Sequence, residues 1–261
     1  MNVGDLHRAL IDLVRTWIET GVEVERTAYG AIVRDLRHPL VHEANLAWIE
    51  RAPAGGPPSI VADMDRVFEG TPVRHRNLLF ADAQVAYDQQ EAFVGRGFQP
   101  LAELGMARVG LPSCIVNPEL EVREVGAGAT ESHYRLVQTS LHAESGYTTE
   151  ESRQLLEVEA ERRRAVGDRA FVGYLTGEPA GAFTLWPRGI FAMIGAVGTL
   201  PAFRMRGVGR TMIFDACQRA LQERCEYSLL TTNVLETPQA MYKTLGFEPV
   251  GELRGFLRRA P

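Results

Sequence analysis

Cysteine is scarce in this 261-residue chain, and what there is does not pair. Cys114, Cys217 and Cys225 are odd in number and form no C-x-x-C. That excludes a disulfide scaffold and points to reduced thiols in a cytoplasmic setting. No apolar run of about 18 residues occurs, and the opening MNVGDLHRAL places an acid ahead of any hydrophobic stretch. Neither a membrane span nor a secretory signal is expected. Positive charge is not in excess: the formal net charge is −5, and the basic runs ERRRA (161–165) and LRR (257–259) are short. Nucleic acid is therefore not an expected partner. His38 and His42 have helical spacing, but Pro39 between them spoils the helix, so no metal site is expected.

What is present is the composition of a soluble globular protein, 45% hydrophobic and 23% charged, at a length suited to two domains. One phrase is written twice: GFQPLAEL at 97–104 and GFEPVGEL at 246–253. Each follows a strand (LLFAD; LLTTN) and a helix, which suggests an internal duplication. In the first half the pattern predicts a helix over 5–20, two short strands around 28–30, and a loop at 51–59. A helix over 59–69, a strand in RHRNLLFAD, a helix through AQVAYDQQEAFVGR and a strand in FQPLAELGMARVG follow. GLPSCIVNPE (110–119) reads as a linker. The second half reads as a strand at LEVREVG and two helices, about 129–143 and from the Thr148–Thr149 cap with Glu151 to about 166. Three strands, a helix from Gly209 to about 225, a strand SLLTTNV, a helix from Thr237–Pro238 and strands FEPVG and ELRGFLR complete it. The order is mixed α/β without doubly wound alternation.

The densest chemistry lies in TLPAFRMRGVGRTMI (199–213). Arg204, Gly207 and Gly209 form R-x-x-G-x-G between a strand and a helix. Glycines there allow close backbone approach, and the helix start offers free N–H groups and a positive dipole to an anion. Arg206 and Arg210 add charge suited to phosphate. The alternative is a glycine-rich turn with exposed arginines. No G-K-[ST] and no G-x-G-x-x-G is present, so neither a Walker loop nor a dinucleotide fingerprint applies.

This stretch resembles the acetyl-CoA loop of the GNAT acetyltransferase superfamily, and TPQAMYKTLGF (237–247) is similar to that superfamily's tyrosine-bearing helix. The resemblance covers about 120–261. It implies a mixed, mostly antiparallel GNAT-type α/β sheet flanked by helices, in tandem with a shortened GNAT-like N-terminal domain. The expected division is 1–112, degenerate and without a cofactor motif, and 113–261, catalytic. The resemblance implies that Val197, Gly198 and Thr199 offer backbone groups to the pantetheine arm of acetyl-CoA. It implies that amides of Arg206, Gly207, Val208, Gly209, Arg210 and Thr211 hold the pyrophosphate, with Arg204 beside them. Asn233 would stand where its strand splays from its neighbour, and Tyr242 would protonate the departing thiolate. A phenol can donate to a developing thiolate; otherwise Tyr242 is a core tyrosine. The family's Asn or Ser seven positions earlier is here Leu235. No acid lies in IFAMIGAV, which leaves Glu144, His142 and His133 as candidate bases. Phe183, Trp186 and Phe191 either line a pocket or form core. Phe93 stands in the first copy where Tyr242 stands in the second, and no R-x-x-G-x-G precedes it.

The expected function is N-acetyl transfer from acetyl-CoA, without a metal, to a small-molecule or peptide amine, with a homodimer possible. The alternatives are an acetyl-CoA-binding sensor or interaction module and a longer acyl donor.

Overall fold

The computed structural model describes residues 1–233 and 238–259. Leu235, and the helix cap expected at Thr237, lie outside the described residues. The chain forms two compact units that interleave in sequence. The N unit comprises Ile11–Leu104 and Gly251–Pro261; the C unit comprises Met1–Leu10 and Gly105–Val250.

In the N unit, β1 (Glu23–Thr27), β2 (Gly30–Arg34) and β3 (Leu46–Ile49) form an antiparallel meander. α2 (Gly56–Phe68) then crosses to β4 (Arg76–Phe80), which runs parallel to β3. After α3 (Ala83–Val94) the chain leaves through β5 (Gln99–Val109), and the end of β11 (Glu248–Arg258) lies antiparallel to β4, Arg254 opposite Phe80. β3 reads Leu-Ala-Trp-Ile and is apolar on both faces. Leu46 and Trp48 join Ile18 and Val33 on one side, while Ala47 and Ile49 join Met64, Phe68, Phe80, Phe93 and Phe256 on the other. A strand covered on both faces shows no alternation, and the sequence pattern does not mark it.

In the C unit, β6 (Leu120–Glu124) leads into α4 (Ala129–Glu144) and α5 (Thr149–Val166). β7 (Arg169–Leu175), β8 (Glu178–Arg188) and β9 (Phe191–Thr199) follow, then α6 (Val208–Gln222), β10 (Tyr227–Asn233) and α7 (Pro238–Thr244). The strand order is β5-β10-β9-β8-β7-β6, antiparallel from β6 to β9 and parallel between β9 and β10. α4 and α6 cover opposite faces: a Cβ on Gly198 would meet Leu141 of α4, and one on Gly173 or Gly181 would meet Met212 of α6. α5 starts in a capping box, with Thr148 and Glu151 each accepting from the other's backbone N–H.

The units do not divide at residue 112. β5 and β11 each begin in one unit and end in the other, so each copy's closing strand is shared out between them. Two element bounds also differ from the sequence reading. α2 begins at Gly56, inside the expected loop, because Pro57 and Pro58 occupy its first turn, where a missing N–H costs nothing. β11 is one continuous strand through Gly251 where the sequence suggests two. Among the described residues, no helix is long and apolar enough to cross a membrane.

The written repeat is a structural one. Phe98 N–H donates to the Phe93 carbonyl at 3.2 Å, and Phe247 N–H to the Tyr242 carbonyl at 3.0 Å. Gly97 and Gly246 turn each corner at φ +80° and +78°. Phe93 meets Phe98 edge-on at 5.4 Å, as Tyr242 meets Phe247 at 5.9 Å.

Candidate active site

β9 and β10 start together and then part. Their ladder pairs Tyr227 with Phe191, Ser228 with Ala192 and Leu229 with Met193, and its register ends there, although β9 continues to Thr199 and β10 to Asn233. Beyond that point the end of β9 has lost its β10-side partner. β9 also carries a bulge. Two steps on β8, Ala182 to Thr184, face three on β9, Gly198 to Gly195. Ala196 takes up the extra length at φ +48°, and its carbonyl accepts from Gln138 Nε2 of α4 at 2.9 Å. The bulge thus re-aims the backbone of Val197, Gly198 and Thr199 beside the opening.

From Thr199 a single 3₁₀ turn, Pro201–Phe203, leads to Arg204 and on to α6. Gly207 caps α6 at φ +79° with no side-chain hydrogen bond, so the first amides of this 15-residue helix have no intrahelical acceptor. Gly209 lies between Thr199 and Met241 of α7: an added Cβ would sit 3.4 Å from Thr199 Oγ1 and 3.5 Å from Met241 Sδ. Arg206 and Arg210 are exposed at this end. A feature the sequence did not signal braces the loop. Asn117, in the expected linker, donates from its backbone to Thr211 Oγ1 (2.7 Å) and from Nδ2 to the Arg206 carbonyl (2.9 Å).

Tyr242 is 5% exposed on α7, the helix that also brings Met241 against Gly209. Asn233, at the end of β10, is exposed. Arg204 and Glu144, which the sequence assigns to separate roles, are partners. Arg204 grips the Glu144 carboxylate with two guanidinium nitrogens, Nη1 to Oε1 at 2.6 Å, and its Nε donates to the Thr199 carbonyl at 3.2 Å. That grip holds the Glu144 carboxyl below its usual range, the wrong direction for a base. The other candidate bases are also engaged: His133 Nδ1 pairs with Tyr174 Oη and His142 Nδ1 with Ser152 Oγ, both at 2.9 Å. Phe183 is fully buried and stacked on Phe171 at 4.9 Å, so it is core; Trp186 is buried, and Phe191 packs on Tyr227. Among the described residues, no group of three His, Cys, Asp or Glu could hold a metal.

The equivalent region of the N unit lacks both features. β3 and β4 stay paired to their ends, Ile49 opposite Phe80, and the Ala81 N–H still donates to the Ile49 carbonyl at 2.8 Å. The helix that follows β3 starts Gly56-Pro57-Pro58, so two of its first three residues have no amide hydrogen to offer an anion.

Residues 135–247 match the model of the acetyltransferase (GNAT) family. No curated protein matches the chain. Among solved structures, the chain is similar to a functionally unknown conserved protein from Staphylococcus epidermidis, with 14% identity and a TM-score of 0.70 over 93% of this chain and 96% of that one. It is likewise similar to a GCN5-related N-acetyltransferase from Kribbella flavida, with 14% identity and a TM-score of 0.69 over 99% and 97%. A tandem GNAT protein from the clavulanic acid biosynthesis pathway aligns at 15% identity, with a TM-score of 0.55 over 98% and 95%. These likenesses concern the fold. The match to the acetyltransferase (GNAT) family model covers residues 135–247, somewhat less than half of the chain.

Proposed function

We propose that the C unit transfers an acetyl group from acetyl-CoA to a primary amine. The observation that carries this reading is the parting of β9 from β10 directly beside the uncapped start of α6. An opened strand offers backbone partners to an extended amide-bearing arm, and the helix start offers amides to a diphosphate. Val197, Gly198 and Thr199 bind the pantetheine. The amides from Arg206 to Thr211 hold the pyrophosphate, with Arg206 and Arg210 adding charge and Asn233 lining the open edge. Arg204 fixes the loop through Glu144 and the Thr199 carbonyl, so Glu144 acts by position and not as the base. Tyr242 gives its phenolic proton to the sulfur as the C–S bond breaks. The acceptor enters over the α4 face, and the N unit binds no cofactor.

The test is calorimetric binding of acetyl-CoA followed by release of free thiol against a panel of amines. Micromolar binding with amine-dependent thiol release supports the reading. Binding without release for every amine makes the chain a sensor, and absence of binding removes the site. Propionyl- and butyryl-CoA in the same assay set the acyl length.

A further inference from the structure

The C unit holds a set of sealed polar atoms, one of them on the partly buried Asp168, that the reading above does not use. Gly167 ends α5 in a left-handed turn, with the Gly167 and Asp168 amides both bonded to the Arg163 carbonyl. That stop turns Asp168 in beneath α5, immediately before β7. Strand alternation puts Asp168 on the face of Ala170 and Val172, which pack under Tyr134 and Val137 of α4. Asp168 Oδ1 is sealed from solvent without a hydrogen-bond partner, and so are Tyr134 Oη and Arg163 Nη1. Arg163 lies 4.4 Å over the Tyr134 ring, and Glu159, Arg163 and Asp168 all act electrostatically on that tyrosine. Donors and acceptors orphaned together in one buried place are the setting for bound water.

The cluster has one way towards the site. Thr184 of β8, 7% exposed, lies within electrostatic reach of the Asp168 carboxylate. In the ladders Thr184 stands opposite Ala170 on one side and Gly195 on the other. A Cβ on Gly195 would come within 3.0 Å of Thr184 Oγ1, so the hydroxyl faces bare β9 backbone one residue before the Ala196 bulge. Ala170, Thr184 and Gly195 thus form a row across two strand spacings, about 10 Å, ending at the opening, and Asp168, two residues before Ala170, reaches that row at Thr184.

Resting on the acetyl-transfer reading, we propose that Asp168 receives the acceptor amine's proton through Thr184 and bound water. The substituted ammonium loses one proton to the Asp168 carboxylate, and the freed nitrogen lone pair attacks the acetyl carbon. The C–S bond breaks, sulfur takes the proton Tyr242 supplies, and the nitrogen sheds its second proton to restore the balance. The products are an N-alkyl acetamide and CoA thiol, with one proton released to solvent overall. Burial raises the Asp168 carboxyl to about 7, against the lowering effects of Arg163, Thr184 and the Arg169 and Leu185 amides. The groups facing it are Tyr134 from α4, Glu159 and Arg163 from α5, and Thr184 from β8. A proton acceptor tuned near neutrality is suited to this task.

The experiment is the pH dependence of kcat/KM for the whole chain, with the amine that turns over best, in wild type, Asp168→Asn, Thr184→Val and Thr184→Ser. Wild type should rise through an inflection near 7. Asp168→Asn should lose that inflection, fall on the order of a hundredfold at pH 7 and recover as alkali frees the amine directly. Thr184→Val should fall in the same direction, and Thr184→Ser should restore the wild-type profile. Asp168→Asn should also melt higher than wild type at pH 8, whereas a merely structural aspartate would melt lower when replaced. Turnover with an unchanged inflection in Asp168→Asn, or a lower melting point with an unchanged profile, overturns the proposal alone. Absence of turnover in wild type with every amine removes the acetyl-transfer reading and this assignment with it.

Discussion

The two copies of the helix–glycine–strand corner differ by one hydroxyl, Tyr242 against Phe93, and exchanging it tests the division of labour. Phe93 is fully buried, stacked on Phe256 with centroids at 4.7 Å and edge-on to Phe98 at 5.4 Å and Phe80 at 6.1 Å. Phe93→Tyr puts a hydroxyl among these rings. An unbonded buried hydroxyl costs roughly 1–3 kcal/mol, and the added volume costs about as much again. A loss of roughly 2–6 kcal/mol is a large share of a typical total of about 5–15 kcal/mol. The variant should melt roughly 4–24 °C lower by circular dichroism, with no new cofactor site and no activity gained in the N unit.

Tyr242→Phe should behave in the opposite way. It removes a hydroxyl from a side chain already 5% exposed and keeps the ring on Phe247, so about 0.5–1.5 kcal/mol of stability is at stake. Loss of the general acid should lower kcat by about a hundredfold or somewhat less, since thiolate is a tolerable leaving group. KM for acetyl-CoA should barely move. The assay is steady-state thiol release, with a single-turnover check that chemistry limits the rate. Near-normal kcat under that condition would return Tyr242 to the core, and an unchanged melting point in Phe93→Tyr would refute the account of the ring cluster.

Gly209→Val should weaken acetyl-CoA binding at least about tenfold, or 1.4 kcal/mol, because its branches enter the space between Thr199 and Met241; unchanged calorimetric affinity would remove the phosphate-loop assignment. Glu144→Gln should leave kcat far above the roughly hundredfold loss that removing a base brings, because the carboxylate's work is to hold Arg204; a collapse of kcat with KM intact would make it the base. His75 is buried and bonded to the Asn45 carbonyl, and burial with His42 nearby lowers it to about 4. Its neutral form therefore stabilises the fold above pH 6.5, and about 3 kcal/mol is lost as pH falls to 4; melting points of wild type and His75→Leu should converge across that window, and parallel curves would refute it. Residues 113–261 expressed alone should fail to give a sharp, cooperative melt, since that fragment lacks β5 and leaves 254–258 without β4; a cooperative monomer would contradict the interleaving.

Much of the fold was legible because its elements announce themselves locally. The Thr148 capping box, the end of its helix near 166 and the paired Gly-Phe corners are local chemistry, and the structure puts each where the sequence does. β3 was not legible, because burial on both faces erases alternation, and α2 hid its first turn behind prolines that merely fit there. The glycine-turned start of α6 could be read from its glycines, and its proposed role from the arginines beside them, since a helix start needs little else to hold an anion. The Arg204–Glu144 pair could not, because it joins residues 60 positions apart. Asp168 was invisible for the same reason: in sequence it is a polar residue just past a helix, and only the folded packing seals its Oδ1 beside Tyr134 and Arg163.

The N unit differs from the C unit at each point where the proposed reading puts chemistry. β3 and β4 remain zipped where β9 and β10 part, so no strand edge is open to an extended ligand. Pro57 and Pro58 stand where the C unit presents amides, and Phe93 stands where it presents a phenol. Under that reading, any one of these differences would by itself remove a cofactor site from the N unit. Proline stiffens a helix start, and a phenyl ring buries better than a phenol. A unit without chemistry would still not be dispensable, because residues 251–258 are part of it and residues 105–109 of β5 belong to the C unit. Phe256, from the end of the chain, stacks on Phe93 within the N unit's own core. A duplicated corner whose closing strand serves both units can lose its chemistry, but it cannot be deleted without opening the core it closes.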